Sequence, residues 1–119
     1  MSTKFKTEAP NPQFPQVMDI HPSEVLSMAA GQALLIDVRQ IEEYTGELGH
    51  IAGTSLVVLD TLPEKLQEYS PNQTLIFICR SGNRSARAAA FAQEHGYDQV
   101  FNMFGGMLLW NELGYPREF

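Results

Sequence analysis

The run Thr74-Leu75-Ile76-Phe77-Ile78 is apolar at every position after its first, and it ends on the chain's single cysteine, Cys79. A strand with one wet face alternates apolar and polar residues. A run without alternation reads as a strand buried on both faces, as in a parallel sheet covered by helices. The stretch Cys79-Arg80-Ser81-Gly82-Asn83-Arg84-Ser85 follows, and then an alanine-rich helical pattern from Ala86 to His95. Strand, tight glycine loop and helix together hang the cysteine at a helix N-terminus. Unpaired N–H groups and the helix dipole favour an anion there. Arg80 and Arg84 add two full positive charges beside it.

The rest of the chain repeats the strand–helix alternation. Ala33-Leu34-Leu35-Ile36-Asp37-Val38 is a second nearly continuous apolar run, and Ser55-Leu56-Val57-Val58 a third. Val17–Ile20 and Gln99–Phe101 read as shorter strands. Pro22 suits a first helical position, with Val25, Leu26, Met28 and Ala29 as an apolar stripe up to Gly31. Gln40–Tyr44 reads as a short helix. Thr61 with Glu64 three residues on is a capping-box pattern, and Leu62, Leu66 and Tyr69 give the next helix its apolar face. Gly105-Gly106 turns the chain into a last helix, Met107–Leu113, stopped by Gly114 and Pro116. This alternation predicts an α/β three-layer domain: a mainly parallel central sheet with helices on both faces. Ligands of such sheets bind beyond the C-terminal strand ends, where Cys79 and Asp37 both fall. Met1–Gln16, with Pro10, Pro12 and Pro15, reads as a flexible N-terminal tail, and residues 17–119 as the domain.

Charge narrows the partners. The formal net charge of −6 argues against nucleic acid or an anionic membrane surface. No apolar stretch approaches the ~20 residues of a membrane span, and no hydrophobic secretory segment opens the chain. Yet Tyr69–Gln93 contains no Asp or Glu, while Arg80, Arg84 and Arg87 all fall there. A positive island in an acidic chain points to a small anionic substrate. A lone cysteine makes no internal disulfide, and scattered His21, His50 and His95 read as structural or exposed rather than as metal ligands. A reducing cytoplasm is the expected setting, and a monomer the expected state.

Several motifs together resemble the rhodanese-like sulfurtransferases in their single-domain form. They are Leu35-Ile36-Asp37-Val38-Arg39 with Glu42-Glu43-Tyr44, then Gly49-His50-Ile51-Ala52-Gly53, and the cysteine loop with Ser85-Ala86-Arg87-Ala88-Ala89. Asn102-Met103-Phe104-Gly105-Gly106, Trp110 and Gly114-Tyr115-Pro116 complete the set. The similarity runs from about Val17 to Pro116. Ala52 stands where the family often has proline, and Thr54-Ser55 where a small apolar residue is usual; the cysteine loop matches in full. The resemblance implies sulfur transfer with neither metal nor organic cofactor. Cys79 attacks the sulfane sulfur of a donor such as thiosulfate and keeps it as a persulfide. A thiol, on a small molecule or a protein, or cyanide then removes it. A persulfide carrier or non-catalytic binding module is the alternative reading. A phosphatase or arsenate reductase on the related fold is another. Four residues separate Cys79 from Arg84, where the resemblance implies five in the phosphatase relatives.

Within the loop each residue has a functional and a plain reading. Cys79 reads as the nucleophile, since its flanking arginines make a core position improbable. Gly82 and Asn83 tolerate positive φ, so successive N–H groups can form an anion-binding nest; otherwise they make an ordinary turn. Arg84, closing the loop, is the preferred contact for the donor's sulfonate, with Arg80 second; the other reading leaves both facing solvent. Ser81 and Ser85 can donate hydroxyl bonds, and Ser85 also suits a helix cap. Asp37 is carried over as a residue bracing Arg84 or the loop backbone, or else it only ends its strand. Arg39 with Glu42 or Glu43 reads as a structural ion pair. Trp110 reads as core, with Phe104 or Trp110 as a rim to the pocket in the other reading.

Overall fold

The structure, a computed structural model, describes residues 5–28 and 31–119. The expectations for Met1–Lys4, and for Ala29 in the first helix's stripe, lie outside the described residues. Strands β1 (Ala9–Pro10), β2 (Met18–Ile20), β3 (Leu34–Asp37), β4 (Ser55–Leu56), β5 (Leu75–Ile78) and β6 (Val100–Met103) form one sheet. Its order is β1-β2-β6-β5-β3-β4. β1 runs antiparallel to β2, and the remaining pairings are parallel. Helices α1 (Pro22–Leu26), α2 (Ile41–Tyr44), α3 (Leu62–Lys65) and α4 (Asn83–Glu94) lie in the connections, and α5 (Gly106–Glu112) follows the last strand. This is the α/β, mainly parallel architecture that the apolar runs predict.

The pleat of β5 explains the layers. All of its residues are buried. Leu75 and Phe77, with Cys79 beyond them, enter one core with Ala88, Ala89 and Ala92 of α4 and Leu62 of α3. Ile76 and Ile78 enter a second core with Val25 of α1 and with Met107 and Trp110 of α5. Helices therefore cover both faces, and the two central strands need no polar alternation.

Local bonds explain where the elements depart from expectation. α1 closes at Leu26, short of Gly31, where the Ser27 hydroxyl donates back to the Glu24 carbonyl at 3.3 Å. The Thr61 hydroxyl donates to the Val58 carbonyl at 2.7 Å, so it caps no helix, and the segment breaks into 3₁₀ turns around α3. The expected tail makes specific contacts from Phe5 onward. Phe5 stands edge-on to Phe101 at 5.0 Å, the Lys6 and Thr7 N–H groups bond the Glu24 carboxylate, and Asn11 is buried. The histidines are structural: His21 caps α1, His50 stacks on Tyr44 at 3.8 Å, and His95 bonds the Phe91 carbonyl.

Phe77 is wholly buried in the α4-side core. Phe77→Ala should destabilise the protein by about 3–5 kcal/mol. Urea unfolding would measure it, and a loss below about 1 kcal/mol would contradict the central place given to β5.

Candidate active site

β5 ends at Ile78, so the cysteine loop emerges at the C-terminal edge of the sheet. The Cys79 carbonyl accepts from the Met107 N–H at 2.9 Å, and the Arg80 carbonyl from the Leu108 N–H at 2.9 Å. The first turn of α5 thus grips the loop by its carbonyls. In a trans peptide the N–H points opposite to the C=O, so the Arg80 and Ser81 N–H groups face away from α5. Among the described residues the N–H groups of Arg80, Ser81, Asn83 and Arg84 have no acceptor. Several free donors therefore lie on the loop that carries the sulfur.

Gly105-Gly106 makes this grip possible. Both have positive φ, and a Cβ on Gly106 would lie 2.5 Å from the carbonyl oxygens of Cys79 and Arg80. Gly82 supplies the loop's left-handed turn at φ 103° and stands as the N-cap of α4. Asn83, expected to share that conformation, is instead the first residue of α4, and no residue other than glycine has positive φ among those described.

Cys79 is only 1% exposed, packed among the core side chains of the α4 face. The sequence reading makes a core position improbable; Cys79 continues the pleat of Leu75 and Phe77 into the α4-side core, which explains the burial. The sulfur is nonetheless met by polar donors. The Gly82 N–H lies 3.1 Å from Sγ and the Ser85 hydroxyl 3.2 Å from it. Ser85 is not the cap of α4 but a wholly buried residue of its first turn, and its hydroxyl also bonds Asn102 Oδ1. Asn102 enters as part of the family resemblance and is not singled out by it. Its polarity at an inward position of a buried strand is the signal that marks it.

The charges pair differently from the sequence reading. Arg84 is held bidentately by Glu43 of α2, at 2.8 and 2.7 Å. Those hydrogen bonds from Arg84, working against desolvation, bring the Glu43 carboxyl down to about 2. The acid-free stretch thus receives an acid from elsewhere in the chain. Asp37, wholly buried, braces neither Arg84 nor the loop: its oxygens take Arg39 Nε and Nη2 at 2.8 and 2.7 Å. Arg39 in turn donates to the Glu43 and Gly49 carbonyls, which fixes α2 and the turn after it. Arg80 and Ser81 are exposed, and the Arg80 guanidinium has no partner among the described residues. A cleft of about 210 Å³ opens between Arg80 and α2, with Glu42, Glu43 and Glu47 on its walls. Larger cavities of about 410 and 600 Å³ are lined by the start of β3 and do not touch the cysteine loop. Trp110 is buried, donating to the Pro116 carbonyl at 2.8 Å, while Phe104 is 53% exposed.

A mainly parallel sheet with a thiol at the start of a loop of free N–H donors defines a cysteine-loop domain of the α/β class. Residues 21–113 match the rhodanese-like domain, and the chain belongs to that family. The chain is 37% identical over 76 residues to the putative sulfur carrier protein YrkF of Bacillus subtilis, covering 64% of this chain and 40% of YrkF. It is 28% identical over 99 residues to the thiosulfate sulfurtransferase GlpE of Pseudomonas entomophila, covering 83% of this chain and 88% of GlpE. The human single-domain sulfurtransferase TSTD1 superposes with a TM-score of 0.71 at 28% identity, over 79% of this chain and 95% of that one.

Two consequences can be measured. Gly106→Ala meets both backbone strain and the loop carbonyls, whereas Gly114→Ala meets strain alone, with nothing within 4 Å. Gly106→Ala should therefore lower the melting temperature more than Gly114→Ala, and only the former should change the rate of Cys79 alkylation. The second concerns pH. The Glu43 carboxyl lies below its ordinary value of 4.5, so the pair with Arg84 stabilises the fold fully above that value and is lost as pH falls toward about 2. Glu43→Gln should melt lower than the native protein at pH 7, with the gap closing between about pH 4.5 and 2. A gap independent of pH would show that the charge of Glu43 contributes nothing.

Proposed function

We propose that the protein is a sulfurtransferase working through a Cys79 persulfide. The observation that carries this reading is the sulfur's setting: a lone thiol beneath a loop whose carbonyls are drawn away and whose N–H groups are free. The Cys79 thiolate attacks the outer sulfur of a donor such as thiosulfate. A new S–S bond forms, the donor's S–S bond breaks, and sulfite leaves with the electron pair. An acceptor thiolate, or cyanide in an assay, then attacks the outer sulfur and restores the Cys79 thiolate. Splitting the transfer through a covalent intermediate is ordinary nucleophilic catalysis, and donors fixed around the sulfur favour its anionic forms. Thiosulfate is favoured as donor by the free N–H groups and by the name of the GlpE relative.

Among the loop residues, Cys79 is the nucleophile, and Gly82, Ser81 and Asn83 supply or shape the donors. Arg80 meets the anionic end of the donor, because Arg84 is already committed to Glu43; Arg84 instead ties the loop to α2. Ser85 donates to the sulfur, and Asp37 acts at a distance by holding Arg39. Neither metal nor organic cofactor enters this chemistry. The partners are a small anionic sulfur donor and a thiol acceptor, in the cytoplasm, with the protein monomeric. No helix among the described residues is long and apolar enough to cross a membrane. The YrkF relative favours a second reading, in which the same persulfide is received from a protein partner and passed on rather than drawn from free thiosulfate.

Loop length sets the sulfur reading against phosphoryl chemistry. A loop of four residues between Cys79 and Arg84 wraps one projecting atom more readily than three tetrahedral oxygens. The test is steady-state turnover. The native protein should transfer sulfur from thiosulfate to cyanide and leave aryl phosphates untouched, and Cys79→Ser should abolish the transfer. Arg80→Ala should raise KM for thiosulfate by at least about tenfold, as expected for a lost charge-assisted contact of about 1.5–3 kcal/mol. Hydrolysis of aryl phosphates at a rate above that of thiosulfate turnover would overturn the assignment.

A further inference from the structure

A buried polar chain leads from the thiol to the N-terminal segment. Beyond the Ser85–Asn102 bond, Asn102 Nδ2 donates to Asp19 Oδ1 at 2.8 Å. Asn11 Nδ2 donates to the same carboxylate, at 3.0 and 3.3 Å to its two oxygens. Asn11 Oδ1 accepts from the Gln13 and Phe14 N–H groups at 2.9 and 3.0 Å. Asp19 and Asn102 face each other in register on β2 and β6. Ser85, Asn102, Asp19 and Asn11 are all buried. Asn11 and Asp19 precede residue 21, where the family match begins.

The chain has a direction fixed by what each group can do. Backbone N–H groups only donate, so Asn11 turns its oxygen to them and its NH₂ to Asp19. A carboxylate only accepts, so Asn102 turns its NH₂ to Asp19 and its oxygen to Ser85. The Ser85 hydroxyl has one proton, and Asn102 Oδ1 and Cys79 Sγ compete for it. We propose that Asp19 and Asn102 are positioning residues that act through Ser85, and set how far its proton is given to the sulfur. The N-terminal segment is thereby part of the site, because Asn11 completes the donors to Asp19.

On the sulfurtransferase reading, on which this consequence rests, the competition favours the loaded form. When Cys79 is a thiolate its Sγ draws the proton and Asn102 Oδ1 loses its donor. When the outer sulfur is attached, the negative charge lies on that outer atom, and the proton returns to Asn102. Removing the Asn102 acceptor leaves the proton to the sulfur and stabilises the unloaded thiolate.

The experiment is alkylation of Cys79 by iodoacetamide across pH, on the full chain, for Asn102→Leu and Asp19→Asn, each alone and combined with Ser85→Ala. Arg80, Arg84, Asp37 and Glu43, the charged groups around the loop, stay unchanged in every variant, whereas Asp19→Asn removes one buried negative charge and Asn102→Leu removes none. Asn102→Leu should lower the alkylation midpoint by about half to one pH unit, the size of one neutral hydrogen bond. Asp19→Asn, of nearly unchanged volume, should shift it the same way by less, and it decides the matter if Asn102→Leu does not fold. In the Ser85→Ala background the Asn102→Leu shift should vanish, and the Asp19→Asn shift should shrink to the direct, through-space effect of the lost carboxylate charge. Unmoved midpoints, or equal shifts with and without Ser85, would overturn the proposal. Alkylation needs no sulfur donor, so a protein that takes sulfur from neither thiosulfate nor small persulfides but shows this coupling contradicts the sulfurtransferase reading and leaves the positioning role standing.

Discussion

The site depends on one contact, the first turn of α5 against the two carbonyls of the cysteine loop. Met107 and Leu108 donate their backbone N–H groups to Cys79 and Arg80, and Gly106 lets the two backbones approach closely enough. α5 thereby satisfies two of its own orphan donors with carbonyls that a loop would otherwise leave unpaired. The same bonds turn the loop's N–H groups the other way. Packing of Met107 and Trp110 into the α1-side core holds α5 in place. The loop's shape is therefore underwritten by a core on the face of the sheet opposite to the one that receives the thiol.

Charge is organised around that loop by two carboxylate–guanidinium pairs with different roles. Asp37 and Arg39, both wholly buried, form a bidentate pair whose spare donors hold the Glu43 and Gly49 carbonyls. That pair places α2, and α2 places the Glu43 carboxylate that holds Arg84. A buried pair that also satisfies its remaining donors is the form in which desolvation is offset. The Arg84 pair is only partly buried, and its effect is to anchor the loop while leaving Arg80 as the exposed cation within the loop itself, with Arg87 exposed on α4. Reading the island of arginines as uniformly available misses this division.

The sheet and its layers were legible because Leu75–Ile78, buried throughout, and Ile36 with Val38 carry their burial in composition, although Leu34 and Leu35 are half-buried and the burial of Asp37 rests on Arg39. Cys79, Gly82 and the Gly105-Gly106 turn were legible for the same kind of reason, since few residue types satisfy those positions. What was not legible depends on long-range pairing. Glu43 lies 41 positions from Arg84, and Asp19 lies 83 from Asn102, so nothing in local spacing joins them. Pro10, Pro12 and Pro15 suggested a loose tail, whereas the contacts of Phe5, Thr7 and Asn11 are made by side chains whose partners are elsewhere in the fold. Thr61 and Ser85 show the limit of cap signatures: each hydroxyl finds another acceptor once the tertiary structure supplies one.

The central claim is that Cys79 carries transferable sulfur, and intact-mass measurement tests it most directly. Incubation of the native protein with thiosulfate should add the mass of one sulfur atom, localised to the Cys79 peptide, and cyanide or a small thiol should remove it. An unchanged mass after exposure to thiosulfate and to small persulfides, with Cys79 still alkylated at an ordinary rate, would contradict the account.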